Sequence, residues 1–198
     1  MFALVESGSI TKMMKGNKGI TIGDNQYPSA IFGAAWTESE RNAIGIYTVE
    51  INETNRKDEE WYINTNISYA FGSGKVTGTY GTATAKAIAD ANAKDSDGNE
   101  LDPVVVIEGL KTIKKRIIDN QCAGILAPSD YMAIKAAEGI AIDSGWKTWR
   151  ASVRTKCNSM QTQIDNAANV DALAALFTYT EQEDKSITRP LGEFPIKE

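Results

Sequence analysis

The chain has 198 residues, 42% of them hydrophobic, and a formal net charge of -5 from 26 acidic and 21 basic side chains. That is enough apolar material for one good core or two small ones, and the interspersed charges leave no basic stripe to neutralise a phosphate backbone, so nucleic-acid binding is not expected. It contains no histidine, which removes Ser-His-Asp and Cys-His nucleophilic systems, histidine-bearing zinc sites and imidazole proton shuttles.

Residues 1–82 read as strands and turns. Two β-prone runs, Phe2 to Glu6 and Ser9 to Met13, flank a Ser-Gly link and predict an opening hairpin. Gly19 to Gly23 predicts a short strand and Asp24-Asn25 a turn. Thr37-Glu38-Ser39-Glu40 is a capping-box pattern and predicts a short helix ending near Gly45. Ile46 to Ile51 and Trp61 to Phe71 have the β-branched and aromatic content of strands. In the second run Trp61, Ile63, Ile67, Tyr69 and Phe71 keep mostly to one period-2 face. Gly72-Ser73-Gly74-Lys75 then predicts a turn into a last strand, Val76 to Tyr80.

The alanine-rich stretch from Thr82 to Ala93 predicts a short helix, and residues 94–103, with their acids, Gly98 and Pro103, a turn-rich loop. Residues 83–104 are accordingly the linker and acidic turn between two parts. From 105 to about 123, Leu110, Ile113, Ile117 and Gln121 share one helical face opposite lysines and Arg116. Pro128-Ser129-Asp130 supplies a stop and an N-cap for a helix running to about Glu138. Trp149, Val153, Cys157, Met160 and Ile164 recur at helical steps and predict a long helix, the spine of the second part. Asp171 is placed to cap a last helix with Leu173, Leu176 and Phe177 inward. Beyond Thr180 the chain is polar, and prolines extend the tail from Arg189 to Ile196.

No apolar run approaches a bilayer span: those present, such as Val104-Val105-Val106-Ile107, are far too short. The start lacks the pattern of a signal peptide, so a cytoplasmic protein with reduced, buried Cys122 and Cys157 is expected. Several motifs have plain readings. Gly72-Ser-Gly-Lys75 lacks the spacing, the following Ser or Thr and the helix of a phosphate loop. Asp95, Asp97, Asn99 and Asp102 lack the EF-hand glycine position and closing glutamate. Asn52-Glu-Thr54 and Asn66-Ile-Ser68 match the N-glycosylation pattern without a secretory route, and Glu59-Glu60 is a charged turn, not a pair set across a cleft.

Trp146, Arg150 and Arg154 form a row beside the core stripe of the long helix, and Trp and Arg are favoured interface anchors. Proline-flanked Phe194 reads equally as a docking tail or as a tail packed on its own domain. These four are the candidate partner-binding residues, with the exposed β edge of the first part beside them. No residue stands out as catalytic, cofactor-binding or metal-ligating.

The order Leu126 to Tyr131, Lys135, Glu138-Gly139, Trp146, Trp149-Arg150-Ala151, Val153-Arg154 and a late Arg-Pro-Leu-Gly-Glu-Phe-Pro stretch resembles the tail fibre assembly proteins of tailed bacteriophages over residues 105–198. The opening, residues 1–13, is similar to the start of such proteins. Ser129, Tyr131 and Trp149 depart from the family's usual threonine, tryptophan and tyrosine. The resemblance implies a non-enzymatic protein without a cofactor. It would bind fibre or neighbouring tail subunits during assembly in the host cytoplasm, leaving before maturation or staying in the virion tail.

The expected fold is therefore α+β: an antiparallel β subdomain over 1–82, a linker over 83–104 and a helical subdomain with an extended tail over 105–198. The expected function is a phage tail or tail-fibre protein working by protein-protein contacts, without membrane or nucleic acid, and with self-association open to it. A carbohydrate-binding virion module using Trp61, Tyr62 and Tyr69 is the alternative.

Overall fold

Two Ser-Gly dipeptides set the strand pairing of the first part. In the computed structural model, which describes residues 1–197, β1 (Phe2–Glu6) turns into β2 (Ser9–Met14) through Ser7 and Gly8, with φ of 51° and 78°. After β3 (Ile20–Ile22), β4 (Asn25–Tyr27), α1 (Glu38–Ala43), β5 (Ile46–Asn52) and β6 (Tyr62–Ile63), Ser73 and Gly74 join β7 (Ile67–Gly72) to β8 (Lys75–Tyr80) with φ of 52° and 71°. Positive φ at both central residues is the type I′ turn, whose twist matches that of the strands it joins.

The five strands β2-β1-β5-β8-β7 form one sheet in that order. It is mostly antiparallel, with one parallel pair: β5 and β8 align Val49 with Val76. A bulge between Leu4 and Val5 adds twist, and the outer strands β2 and β7 come near each other. Alternation sends Ala3, Val5, Val49 and Val76 to one face, packed by Tyr47, Tyr69 and Phe71, and Leu4 and Ile46 to the other. The second face is covered by the β3–β4 hairpin, a 3-10 turn at Ser29–Phe32 and the segment carrying Trp36. α1 has the expected capping box: Thr37 Oγ1 accepts from the Glu40 amide at 3.3 Å and Glu40 Oε2 from the Thr37 amide at 2.7 Å.

The run from Trp61 to Phe71 is not one strand. Asn64 breaks it, its side chain accepting from Lys57 N at 2.9 Å and donating to Lys57 O at 2.8 Å, which folds the chain back into a loop.

The chain forms two compact units that meet between Thr84 and Ala85. The stretch from Thr82 to Ala93 is not helical: it carries β9 (Thr84–Ala85) and β10 (Ala91–Asn92). Its alanines provide no apolar stripe at helical spacing, and Ala87 O and Ile88 O instead accept from Leu110 N and Lys111 N, at 2.9 and 3.1 Å. β10 pairs antiparallel with β11 (Val106–Ile107). Between them Asp95 Oδ1 accepts from the amides of Asp97 and Asn99, each at 2.9 Å, so the acidic turn satisfies itself.

Strand β11 delays the next helix: α2 (Leu110–Leu126) starts later than residue 105 and runs past 123. Its N-cap, Gly109, has no side chain to offer, and Asp90 substitutes by accepting from Gly109 N at 2.7 Å and Thr112 Oγ1 at 2.9 Å. Then come α3 (Asp130–Ala137), α4 (Ser144–Asn166), α5 (Val170–Phe177) and a small hairpin of β12 (Thr180–Glu181) and β13 (Ile187–Thr188). α4 buries Val153, Cys157, Met160 and Ile164 and packs along α2, whose Ile118 and Cys122 are buried. Both cysteines are free thiols. Asn169, not Asp171, caps α5, accepting from Ala172 N at 2.8 Å, while Asp171 sits in the first turn. Among the described residues no helix is long and apolar enough to cross a membrane.

Candidate interaction surface

Arg150 does not lie on an exposed row. Its side chain is 8% exposed and turns into the corner where α2 ends and α3 begins. Nη1 donates to Leu126 O at 2.9 Å and to Ser129 Oγ, and Nη2 to Asp130 Oδ1 at 2.7 Å. Leu126 O is among the last carbonyls of α2, which have no partner within the helix, so a guanidinium there supplies both hydrogen bond and complementary charge. Within the expected Pro128-Ser129-Asp130 stop and cap, Ser129 holds the N-cap position of α3 but is buried, and its hydroxyl donates to Leu126 O at 2.8 Å and makes no capping bond to the helix.

Arg154 is exposed and, with Lys147, Ala133, Ala136 and Ile142, lines a cleft of about 250 Å³ against Arg150. Trp146 and Phe194 belong elsewhere, on the side of the unit where the tail lies. Trp146 meets Trp149 edge to face with centroids 5.7 Å apart, and Lys197 Nζ stands 5.3 Å from the Trp146 ring centre. The Trp149 indole donates to Pro195 O at 3.0 Å. Further back, Leu191 is fully buried, its amide donating to Leu176 O at 3.0 Å while Lys156 Nζ donates to its carbonyl at 2.9 Å. The tail therefore packs on its own unit.

That packing leaves a groove of about 620 Å³ with Phe194, Ile196 and Ile125 among its apolar lining. Its polar lining is a linked set: Arg189 Nε pairs with Glu193 at 2.8 Å, Tyr179 Oη donates to Glu193 at 2.9 Å, and the guanidinium of Arg189 lies 5.0 Å from the Tyr179 ring centre. The bond to Glu193 holds the Tyr179 phenol above its ordinary pKa. Apolar walls beside a satisfied polar border suit the insertion of an apolar side chain from a partner.

Of the four residues expected at an interface, only Phe194 lines this groove. Ile125, Tyr179 and Ile196, its other apolar and aromatic contributors, come from three separated segments, and the one sequence signal was the placement of Phe194 and Ile196 beside proline. The aromatics of the carbohydrate alternative are also dispersed: Trp61 is buried, Tyr69 packs on the sheet core and Tyr62 lies beneath Lys57. Among the described residues no group of three or more His, Cys, Asp or Glu is arranged to hold a metal ion. Comparison of the chain with known protein families, curated proteins and solved structures gives no match.

Proposed function

We propose that this chain is a non-enzymatic bacteriophage tail protein that binds tail-fibre or neighbouring tail subunits by protein-protein contacts, for fibre assembly or attachment in the virion. The binding role is carried by the groove at Phe194, where a fixed tail presents apolar walls inside an Arg189–Glu193–Tyr179 border. The assignment to phage tails draws on the resemblance of residues 105–198. In this reading the protein acts in the host cytoplasm during assembly, and its partner seats an apolar side chain against Ile125 and Phe194.

The test is copy counting by quantitative mass spectrometry of purified particles, with affinity capture from infected lysate using wild type and the Ile125→Asp variant. A stoichiometric count in particles makes the chain a tail component. Absence from particles with capture of fibre protein makes it an assembly chaperone, and loss of capture by Ile125→Asp places the contact in the groove. Absence of the chain from purified particles together with no capture of tail or fibre protein from the lysate would overturn the proposal.

A further inference from the structure

The first half of α4 collects cations at the end where a helix least favours them. Lys147, Arg150, Arg154 and Lys156 all precede the helix's first acid, Asp165, and no acidic side chain stands in its first turn. The amides at that end already carry partial positive charge, so Lys147, one turn in from the Asp143 N-cap, opposes the helix dipole. Two of the four cations are accounted for inside the fold: Arg150 by Leu126 O, Ser129 and Asp130, and Lys156 by the Leu191 carbonyl. Lys147 and Arg154 are exposed and have neither a hydrogen bond nor an ion pair among the described residues.

Spacings of three and four put Lys147, Arg150 and Arg154 on one face of α4. There they line the 250 Å³ cleft with Ala133 and Ala136 of α3 and with Ile142, and no carboxylate is part of that lining. Asp130 neutralises Arg150, which leaves the charges of Lys147 and Arg154 uncompensated. The walls decide the class of occupant. The volume is below the roughly 300–1,000 Å³ of small-molecule pockets and suits one or two side chains. A bare inorganic anion would use the cations and leave Ala133, Ala136 and Ile142 without a contact. A carboxylate with an apolar neighbour in the same chain uses both, the guanidinium meeting it as a fork and the ammonium as a point charge.

We propose that this cleft docks an acidic peptide segment of a partner protein, with a Glu or Asp side chain between Lys147 and Arg154 and an adjacent apolar side chain on Ala133, Ala136 and Ile142. Arg150 is a positioning residue: its bonds to Leu126 O, Ser129 and Asp130 fix the start of α3 against α4, so the cleft is formed before the segment arrives. The chain's net charge of -5 does not oppose the contact at physiological salt, where charges beyond about 8 Å are screened and the local pair of cations decides. The site goes beyond the groove at Phe194, with which it shares no lining residue.

The experiment is an NMR titration of the full chain, following the Arg154 Nε–Hε signal and the Ala133 and Ala136 methyls. The probes are the end-capped peptide Gly-Leu-Glu-Leu-Gly, its Gln counterpart and inorganic phosphate. The Glu peptide is expected to shift all three signals saturably, with a Kd of about 1 mM or tighter, and the Gln peptide and phosphate to bind at least about tenfold more weakly. Lys147→Gln, Arg154→Gln and Ala133→Glu, which supplies a carboxylate of its own, are each expected to weaken the Glu peptide at least about tenfold with far-UV circular dichroism unchanged. Ile125→Asp, in the other groove, should bind it as wild type does. No binding of the Glu peptide, equal binding of its Gln counterpart or of phosphate, undiminished binding by the three folded cleft variants, or loss of binding in Ile125→Asp would overturn the proposal.

Discussion

Arg150 and Asp130 form an ion pair at 2.7 Å in which the guanidinium is buried and the carboxylate is not, with side-chain exposures of 8% and 61%. The two partners therefore carry unequal weight. Arg150→Met removes the bonds to Leu126 O and Ser129 Oγ as well as the pair, and is expected to lower unfolding stability by about 2–4 kcal/mol. Asp130→Asn is expected to cost less than about 1 kcal/mol, since an exposed carboxylate gains little from pairing. Denaturant unfolding of both variants checks the ordering.

Asp90 serves as the missing cap of α2, and the Gly109 amide, followed by the Thr112 hydroxyl, holds its carboxyl below the usual aspartate range. A depressed folded pKa contributes stability above the ordinary value of 3.8, and that contribution is lost as pH falls through the folded value. Asp90→Ala is expected to lower the thermal midpoint at pH 7 and to converge on wild type in strong acid. A variant that melts like wild type at pH 7 would remove Asp90 as the cap.

Burial pushes the Cys157 thiol up to about 12, helped by hydrogen bonding with the Cys122 thiol and by the nearby Asp119 carboxylate. A raised folded pKa leaves stability intact below the ordinary value of 9.0 and erodes it from there toward 12, by about 1.4 kcal/mol per pH unit for this proton. Cys157→Ala lacks that loss, so its difference from wild type shrinks between pH 8 and pH 11. An aromatic disulfide reagent at pH 8 is expected to label Cys157 only after unfolding.

At the β7–β8 turn a Cβ on Gly74 would meet nothing within 4 Å, yet φ is 71°. Gly74→Ala should therefore cost about 1 kcal/mol through backbone strain alone. Ser73→Asn, restoring the favoured Asn-Gly pair, is expected to stabilise slightly. Equal midpoints for all three chains would argue against a type I′ turn.

Features written in a few adjacent residues were legible in the sequence: the Thr37–Glu40 capping box, the Ser-Gly hairpins, and the α4 stripe through Val153, Cys157 and Ile164. What escaped depends on residues far apart. Asn64 interrupts a β-prone run because Lys57 offers it two backbone bonds, and the Thr82–Ala93 segment stays extended because α2 takes its carbonyls. Helical spacing placed Arg150 beside the core without telling that the open carbonyl of Leu126 would draw it inward. Phe194 was visible as a candidate, but the groove it lines is assembled from segments that no local pattern connects.

The order β2-β1-β5-β8-β7 also governs how the first unit can be made. The strand synthesised last fills a gap between two made earlier, and β7 has no partner in that sheet other than β8. A nascent chain that has left the ribosome only as far as residue 74 therefore carries β5 as an open edge and β7 with nowhere to dock. Termination or proteolysis anywhere between β5 and β8 should release a fragment that aggregates, whereas a chain that reaches Tyr80 can close its sheet in one step.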